Sequence, residues 1–358
     1  MYHALITAGG VGERFWPLSR TDRPKQLLKL TENRSMIRLT IDRLLPAFPP
    51  ERIWIITTEA LAPAISLELP DLPADHILCE PMARSTAAAI GLAALHIRRV
   101  DSDASMVVQA ADHAIQGDLA FRKMLEVAEA HARATGNLVT CGFPPSRVGV
   151  GFGHIELGDA LETRDGLPLY RVARFIEKPP FADAERYTAS GRHLWNSGIF
   201  IWTLADLWTA FRRFMPELLE ALEHLGPTLA TPEADETLRT LYSRLPSIAI
   251  EYGVLERASN LAVIPGQFHW EDIGTWEGLR TVIPVNESGN VVRGDVITLD
   301  VQDSTLFCED GQLGVIGVHG MVVVKSGDCV LVCPRERAGE IRAMLTAHRE
   351  SLRLKSRL

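Results

Sequence analysis

The residues whose types and spacing most clearly suit ligand binding lie at positions 5–29. A short apolar run, Leu5-Ile6-Thr7, predicts a buried strand that leads directly into Ala8-Gly9-Gly10-Val11-Gly12. Three glycines let the backbone adopt positive φ and approach a ligand closely, so the loop can turn its N–H groups onto a phosphate. The glycine spacing fits neither the Rossmann fingerprint nor the Walker loop. A plain glycine turn between a strand and a helix is the alternative interpretation.

The residues behind this loop are mainly basic, although the chain has a formal net charge of -8. The local reversal of charge favours a small anionic ligand over nucleic acid, because a nucleic-acid surface would need a wider basic stripe. We therefore expect no nucleic-acid partner. The basic residues are Arg14, Arg20, Arg23, Lys25 and Lys29, against Glu13 and Asp22.

Two carboxylates follow predicted strands further along the chain. Glu80 can accept two parallel hydrogen bonds, which suits the ring N–H and exocyclic amine of guanine; an exposed strand-end carboxylate is the alternative. Asp112 ends an apolar strand, where an acid needs a partner. Asp118 stands closer to the next predicted helix and is the better cap, so Asp112 is interpreted as a hard oxygen ligand for Mg²⁺.

Strands and helices of similar length alternate around these residues. This alternation predicts an α/β fold with a doubly wound, mostly parallel sheet, in which ligands bind beyond the carboxyl ends of the strands. We therefore expect the glycine loop, Glu80 and Asp112 to converge. The predicted strands are 52–57, 76–79, 105–110, 137–142, 171–176 and 262–265, and the predicted helices are 35–45, 60–67, 87–100, 119–135, 204–214, 217–225 and 233–245.

The pattern changes from residue 285 onward. Short β-rich pieces separated by Gly, Asp and Ser turns predict a small β-solenoid, because each short strand can bury its face only by stacking on the next. A helix is predicted over residues 335–352. We expect two domains, a catalytic domain at 1–284 and a small β-rich domain with the terminal helix at 285–358. The β-rich pieces are 290–292, 295–299, 305–308, 314–318, 321–325 and 329–332.

The composition of the 358 residues is that of an ordinary globular chain, with 46% hydrophobic and 23% charged residues. The first residues lack a leader pattern, and no apolar run approaches the length of a membrane span. The five cysteines are odd in number and contain no C-x-x-C pair, which argues against a disulfide framework or a zinc site. We expect a cytoplasmic protein with reduced thiols and no membrane partner.

Several short motifs occur in one order along the chain. In this combination the chain resembles the sugar nucleotidyltransferases, and most closely the mannose-1-phosphate guanylyltransferases, over essentially its whole length. The resemblance implies a Rossmann-like nucleotidyltransferase domain. The motifs are Gly9-Gly10-Val11-Gly12-Glu13-Arg14, Trp16-Pro17-Leu18-Ser19-Arg20, Pro24-Lys25-Gln26, Glu80-Pro81 with Arg84-Ser85-Thr86, Ala111-Asp112-His113, Glu177-Lys178-Pro179, Trp195-Asn196-Ser197-Gly198 and Trp270-Glu271-Asp272-Ile273-Gly274-Thr275-Trp276.

The resemblance implies transfer of GMP from GTP to a sugar 1-phosphate, in the first place α-D-mannose 1-phosphate, with release of pyrophosphate. It implies catalytic roles for Arg14, Lys25 and Lys178, and a Mg²⁺ ion held by Asp112 and Asp272. The implied nucleotide-binding residues are Ala8, Gly9, Gly10, Gly12, Glu80, Arg84, Ser85 and Thr86. The implied sugar-phosphate-binding residues are Gly151, Gly153, Glu177, Lys178, Asn196 and Glu251.

The chain departs from the family pattern at a few of these positions. The family has Thr and Leu at Glu13 and Phe15, Asn at Ser85, Asp at Glu251, and a more polar loop at residues 148–154. Because this loop lies against the sugar in the family, the same chemistry on another sugar, such as a heptose 1-phosphate, stays open. So does a non-catalytic homologue that binds a GDP-sugar and regulates a partner, and the sequence is compatible with a homodimer.

Overall fold

A computed structural model describes residues 1–10 and 12–349. They divide into two compact units, each built from segments that are discontinuous in sequence. The first unit contains Met1–Gly9, Asp42–Ala110 and Ile115–Trp270, and the second contains Gly10–Ile41, Ala111–Ala114 and the chain from Glu271 onward. The predicted domains at 1–284 and 285–358 follow chain order instead, and that boundary stays a prediction.

The first unit is built on a nine-stranded sheet of order β3-β2-β1-β4-β9-β6-β10-β8-β7 among the described residues. Strand β9 is antiparallel to β4, β6 and β7, and β8 is antiparallel to β10 and β7, so the other seven strands run in one direction. The strands up to residue 271 are β1 (Tyr2–Thr7), β2 (Ile53–Thr58), β3 (Ile77–Glu80), β4 (Ser105–Ala110), β5 (Ala114–Gln116), β6 (Leu138–Phe143), β7 (His154–Arg164), β8 (Leu167–Ile176), β9 (His193–Thr203), β10 (Leu261–Pro265) and β11 (His269–Glu271).

Burial explains why these segments form a parallel sheet. Strands β1, β2 and β4 are continuous apolar runs whose central residues are fully buried, as is typical of parallel strands covered on both faces. Helix α3 packs an alanine-rich face into the same core. The helices up to this point are α1 (Met36–Leu44), α2 (Ala62–Glu68), α3 (Ser85–Val100), α4 (Asp118–Thr135), α5 (Phe181–Ser190), α6 (Leu204–Phe214), α7 (Pro216–Leu225) and α8 (Ala234–Arg244), followed by one π-helical turn at Glu251–Leu255.

The α/β fold class with a mostly parallel sheet is confirmed, and two local expectations are wrong. Asp118 does not cap α4: it is the first residue of the helix, and its Oδ1 accepts a hydrogen bond from Arg43 Nε at 3.2 Å. Gly117, with φ of 110°, precedes the helix instead. The predicted strand at 171–176 is also longer than expected, because it forms the end of β8 in a hairpin with β7.

The second unit contains the β-solenoid. Strands β12, β14 and β16 stack in parallel, with Val291 beside Thr305 and Thr305 beside Val322, and β13 stacks on β15 in the same way. The predicted β-solenoid is therefore confirmed. The helices and strands of the chain after residue 271 are α9 (Trp276–Leu279), β12 (Val291–Arg293), β13 (Val296–Leu299), β14 (Thr305–Cys308), β15 (Leu313–Ile316), β16 (Met321–Ser326), β17 (Cys329–Pro334) and α10 (Ile341–Ala347).

The predicted terminal helix is shorter in the described part of the chain. Residues Arg335–Glu340 form a 3₁₀ segment, and α10 ends at Ala347. Residues 350–352 of the prediction lie outside the described residues.

One hydrophobic cluster ties the second unit together. The Phe15 and Trp276 rings lie 5.1 Å apart, and Trp276 contacts Phe307 of the solenoid at 5.9 Å. Ile341 and Leu345 of α10 are buried in the same cluster. The residues that follow the glycine loop and the helix near the end of the chain therefore share one core.

No described helix is long and apolar enough to cross a membrane.

Asn290 provides a test of the solenoid. Its buried side chain donates to Val301 O at 2.7 Å and accepts from Ser304 N at 2.9 Å. Replacing Asn290 with Ala should lower the free energy of unfolding by roughly 1–3 kcal/mol, because two buried backbone groups lose their partners. Denaturant unfolding measures the change. The exposed Gln312→Ala control should stay within about 0.5 kcal/mol of the parent, and an equal loss in both variants would contradict the role of Asn290.

Candidate active site

A cavity of about 490 Å³ in the second unit brings together Gly12 of the glycine loop and the two predicted metal ligands, whereas Ala8, Gly9 and Gly10 do not line it. Three cations and three carboxylates line it, so the cavity can take both a metal ion and phosphates. The lining residues are Gly12, Glu13, Arg14, Phe15, Lys25, Asp112, His113, Asp272, Gly274 and Arg342.

Lys25 is the central cation of this cavity. Its buried Nζ lies 2.8 Å from Asp112 Oδ2 and donates a hydrogen bond to the backbone oxygen of Asp272 at 2.6 Å. Desolvation alone would raise the pKa of Asp112, but the Lys25 ammonium outweighs this and lowers that pKa below its ordinary value. Asp112 is therefore held as a carboxylate.

Gly12 makes room for Lys25. Its φ is 72°, and a Cβ at this position would lie 2.3 Å from Lys25 Cβ, so a larger residue is excluded both by conformation and by contact. The hydroxyl of Ser19 donates to Gly12 O at 2.7 Å and fixes the turn. A Cβ on Gly9 or Gly10 would meet nothing within 4 Å, so these two positions face open space.

Asp272 is held by a strained turn. Its Oδ1 accepts a hydrogen bond from Gly274 N at 2.8 Å. Between them, the buried Ile273 has φ of 41°, which is unfavourable for a β-branched residue. Such strain persists only where the surrounding packing enforces it, and it is common at functional sites. Arg14, by contrast, is exposed and has no ion pair among the described residues.

The donor set fits a hard divalent cation. Asp112 and Asp272 offer carboxylate oxygens, and the Lys25 ammonium already holds a positive charge against the Asp112 carboxylate and the backbone oxygen of Asp272. In the described part of the chain, no three His, Cys, Asp or Glu side chains group as a metal site would require. A cation here would therefore complete its shell with phosphate oxygens or water, as Mg²⁺ usually does.

Glu80 is a buried carboxylate in the first unit. Burial raises its pKa to about 7, although hydrogen bonds from the Tyr242 hydroxyl at 3.1 Å and from the backbone of Arg84 act in the opposite direction. The Arg84 guanidinium donates to the backbone oxygens of Tyr242 at 2.9 Å and Ser243 at 2.6 Å. Arg84 thus holds the end of α8, which carries Tyr242, next to Glu80.

Ser85 and Thr86 begin helix α3. Ser85 has φ of 63°, a left-handed conformation that Asn tolerates better than Ser. The Thr86 hydroxyl accepts from Ile250 N at 2.8 Å and donates to Glu251 Oε2 at 3.3 Å. Burial raises the pKa of Glu251. The start of α3 is therefore tied to the π-helical turn that carries Glu251.

A second group of the first unit surrounds Glu177. Its Oε1 pairs with Lys178 Nζ at 2.8 Å, while its buried Oε2 has no hydrogen-bond partner among the described residues. A Cβ on Gly153 would lie 2.5 Å from that Oε2, so glycine is needed for the close approach. Desolvation alone would lower the pKa of Lys178, but its pair with Glu177 holds the pKa above its ordinary value. An unpartnered buried acceptor is ready for a ligand hydroxyl.

Asn196 lies beside this group. Its backbone N–H donates to Gly153 O at 2.7 Å, and its Oδ1 accepts from Thr140 Oγ1 at 3.0 Å and Gly198 N at 3.2 Å. These bonds orient the amide, and its nitrogen donates to none of the described residues. The Asn196 amide can therefore donate to a ligand oxygen.

Lys178 also lines a larger cavity of about 740 Å³ in the first unit, together with Ser85 and Tyr252. The loop at residues 148–154 is packed by aromatic contacts: Phe152 stacks on Trp195 with ring centroids 4.5 Å apart. A Cβ on Gly151 would meet nothing within 4 Å.

The structure adds residues that the sequence motifs did not single out. Tyr242 contacts Glu80 but stands in an ordinary amphipathic helix, so no sequence signal marks it. Glu256 accepts the backbone N–H of Glu177 at 2.7 Å, and its place five residues after Glu251 was an available signal. Arg342 lines the cavity that holds Lys25 but lies in a segment that carries no motif.

Comparisons with known proteins identify the family of the chain. A family model described as nucleotidyl transferase matches residues 3–288, and a model described as a MannoseP isomerase/GMP-like beta-helix domain matches residues 294–347. The mannose-1-phosphate guanylyltransferase of Klebsiella pneumoniae is 35% identical over 94% of this chain and 72% of its own length. That of Escherichia coli K12 is 34% identical over 96% of this chain and 72% of its own length.

The chain belongs to the mannose-1-phosphate guanylyltransferase family. A solved structure from Thermus thermophilus, described as a mannose-1-phosphate geranyltransferase, has a TM-score of 0.87 and 36% identity, and the match covers 97% of this chain and 98% of that one. The resemblance inferred from the motifs is thus confirmed for the family, the fold class and the enzyme class. Nucleotidyltransferases of this family generally use a divalent metal, which agrees with the donor set of Asp112 and Asp272.

The backbone at Ser85 gives a prediction specific to this guanylyltransferase family member. Ser85→Asn should raise the free energy of unfolding by roughly 0.5–1 kcal/mol, because Asn adopts the left-handed conformation at lower cost. Ser85→Val should lower it, since a β-branched residue is least suited to positive φ. Thermal unfolding of the purified variants measures both changes, and destabilisation by Asn equal to that by Val would contradict this explanation.

Proposed function

We propose that this chain transfers GMP from GTP to α-D-mannose 1-phosphate, giving GDP-mannose and pyrophosphate, with Mg²⁺ as the metal. The observation that carries the proposal is the Lys25 ammonium between the Asp112 carboxylate and the Asp272 backbone in one cavity. A cation and two acids in one cavity suit a triphosphate and its metal ion, and the chain belongs to a family of the same chemistry.

The proposed reaction is an in-line attack by an oxygen of the sugar 1-phosphate on the α-phosphorus of GTP. The new P–O bond forms as the bond to the β-phosphate oxygen breaks, and pyrophosphate leaves. No covalent enzyme intermediate is needed, so the protein supplies alignment and charge neutralisation. When bound, Mg²⁺ would neutralise phosphate charge at Asp112 and Asp272. Lys25 and Arg14 would stabilise the charge of the leaving pyrophosphate.

In the first unit, one group of residues is assigned to the guanine base and another to the sugar phosphate. Ionised Glu80 would accept the two donors of the guanine edge, with Tyr242 and Arg84 as positioning residues and Ser85 and Thr86 beside the nucleotide. Lys178 would bind the sugar phosphate. Sugar hydroxyls would bind Glu177 Oε2, Asn196 and Glu251, while Gly151 and Gly153 keep the loop close to the sugar. Ala8, Gly9, Gly10 and Gly12 would present backbone to the triphosphate.

Two alternatives remain as outcomes of the test. A heptose 1-phosphate acceptor is kept because the loop at residues 148–154 is less polar than the family pattern, and its Phe152 stacks on Trp195. A regulatory homologue without activity is disfavoured by the presence of Arg14, Lys25, Asp112, Lys178 and Asp272.

Pyrophosphate release tests the proposal. Purified protein is mixed with Mg²⁺ and GTP, and separately with mannose 1-phosphate, glucose 1-phosphate or a heptose 1-phosphate. We expect release with mannose 1-phosphate, and a loss of about 100-fold or more in Asp272→Asn, because a preorganised charge is removed from the reacting phosphates. The exposed Asp75→Asn variant is the matched control and should keep the parent rate.

Release of pyrophosphate with only another sugar 1-phosphate would identify that sugar as the substrate and would still support the proposed mechanism. Absence of release with all three sugars, combined with tight GDP-mannose binding, would contradict the catalytic proposal. An unchanged rate in Asp272→Asn would contradict the role of this carboxylate.

The pKa of Glu80 gives a second prediction. Its pKa of about 7 is raised above the ordinary value, so the carboxylate that accepts from guanine is lost as the pH falls through 7. The kcat/KM for GTP should therefore fall roughly tenfold from pH 8 to pH 6. In Tyr242→Phe the midpoint should move to higher pH, because a hydrogen bond that favours the charged form is removed.

Glu80→Gln serves as the control, since its remaining pH dependence reports the titration of GTP and of other groups. A profile of the parent that matches the Glu80→Gln profile would contradict base recognition by ionised Glu80.

The remaining parts of the proposal concern the cellular setting. We place the reaction in the cytoplasm, supported by five cysteines that are all free thiols. A homodimer is also proposed on the basis of the sequence, and light scattering on purified protein tests it.

A further inference from the structure

Helix α10 brings a cation, Arg342, to the cavity of the second unit that holds Lys25. Arg342 lines this cavity together with Arg14, Lys25 and the two predicted metal ligands. Its side chain is 69% exposed, whereas that of Lys25 is 7% exposed. Lys25 therefore lies at the closed end of the cavity and Arg342 at its open end. The motifs that define the rest of the site do not include this arginine.

The position of Arg342 is fixed by the core of the second unit. Its neighbour Ile341 and Leu345, one turn further along, are buried in the cluster that contains Phe15. Phe15 directly follows Arg14 in the turn after the glycine loop. The same apolar contacts therefore hold α10 against the turn that follows the glycine loop. Arg342 thus reaches the cavity from a packed helix.

Glu13 holds Arg342 in an exchangeable ion pair. Arg342 Nε lies 3.4 Å from Glu13 Oε2, and Arg349 Nη2 lies 2.8 Å from Glu13 Oε1. Exposed pairs of this kind contribute little to stability, so Arg342 can turn towards a phosphate at small cost. Arg349 would remain at Glu13 and keep that carboxylate neutralised.

The charges of the cavity show why this cation matters. Arg14, Lys25 and Arg342 balance the three carboxylates of the lining. Without Arg342, two cations of the lining would remain to attract a triphosphate or pyrophosphate. An arginine also matches phosphate geometry, since its planar fork can donate two parallel hydrogen bonds.

We propose that Arg342 is a substrate-binding residue of this site, which leaves Glu13 and binds the two outer phosphates of the nucleoside triphosphate, the part released as pyrophosphate. At the closed end of the cavity, Lys25 binds the same leaving group on the side nearer the reacting bond, next to Asp112 and Asp272. The identity of the anion rests on the proposed function.

Inorganic pyrophosphate is the probe that tests Arg342. Its binding to the full chain with Mg²⁺ is measured by calorimetry, and its KM is measured in the reverse reaction with GDP-mannose. Arg342→Ala should weaken pyrophosphate binding and raise this KM about tenfold, with the KM for GDP-mannose unchanged. Arg342→Lys should recover part of the loss. Glu13→Gln should bind pyrophosphate at least as tightly as the parent, because a competing carboxylate is removed.

Arg349→Ala is the matched control, because Arg349 shares the partner Glu13 but does not line the cavity. It should bind pyrophosphate within about twofold of the parent. Equal weakening in Arg349→Ala and Arg342→Ala, or parent-like binding in Arg342→Ala, would overturn the inference. Arg342-dependent pyrophosphate binding without any reverse reaction would support the inference while contradicting the proposed function.

Discussion

The arrangement of the cavity in the second unit depends on one buried cation, the ammonium group of Lys25. It joins a carboxylate at Asp112 to a backbone oxygen at Asp272, although these residues lie in three separate segments of the chain. A buried charge must be paired, so this contact constrains all three segments at once. Gly12 follows from the same constraint, because any side chain there would occupy the space of Lys25. Next to this contact, Ile273 keeps a strained φ of 41°.

The first unit uses carboxylates differently. Glu80 is buried with a hydroxyl and a backbone N–H as partners, and its pKa is raised to about 7. Glu177 keeps one oxygen on Lys178 and leaves the other buried and unpartnered. Neither arrangement stabilises the free protein well, since buried acceptors without a full set of partners are costly. Both become favourable when a ligand supplies the missing donors, which is expected of residues kept for binding.

The sequence predicted the parts of the site that motifs encode. The motifs single out Lys25, Asp112 and Asp272, and apolar runs and short β-rich pieces predict the parallel sheet and the solenoid. Tyr242 and Arg342 were not predictable, because each stands in an ordinary helix and gains its role from tertiary packing alone. The long strand β7 was also missed: much of it is exposed and carries charges, so it lacks the apolar run that marked the buried strands. Asp118 was misjudged because its pairing with Arg43 is a long-range contact that local capping rules do not contain.

We propose that Asp112, held as a carboxylate by Lys25, is a ligand of the catalytic cation. Electron paramagnetic resonance of Mn²⁺, titrated into the full chain with GTP, tests this claim most directly. We expect a protein-bound Mn²⁺ signal in the parent and in the exposed Asp75→Asn variant, with at least roughly tenfold weaker binding in Asp112→Asn. Parent-like Mn²⁺ binding by Asp112→Asn would contradict it.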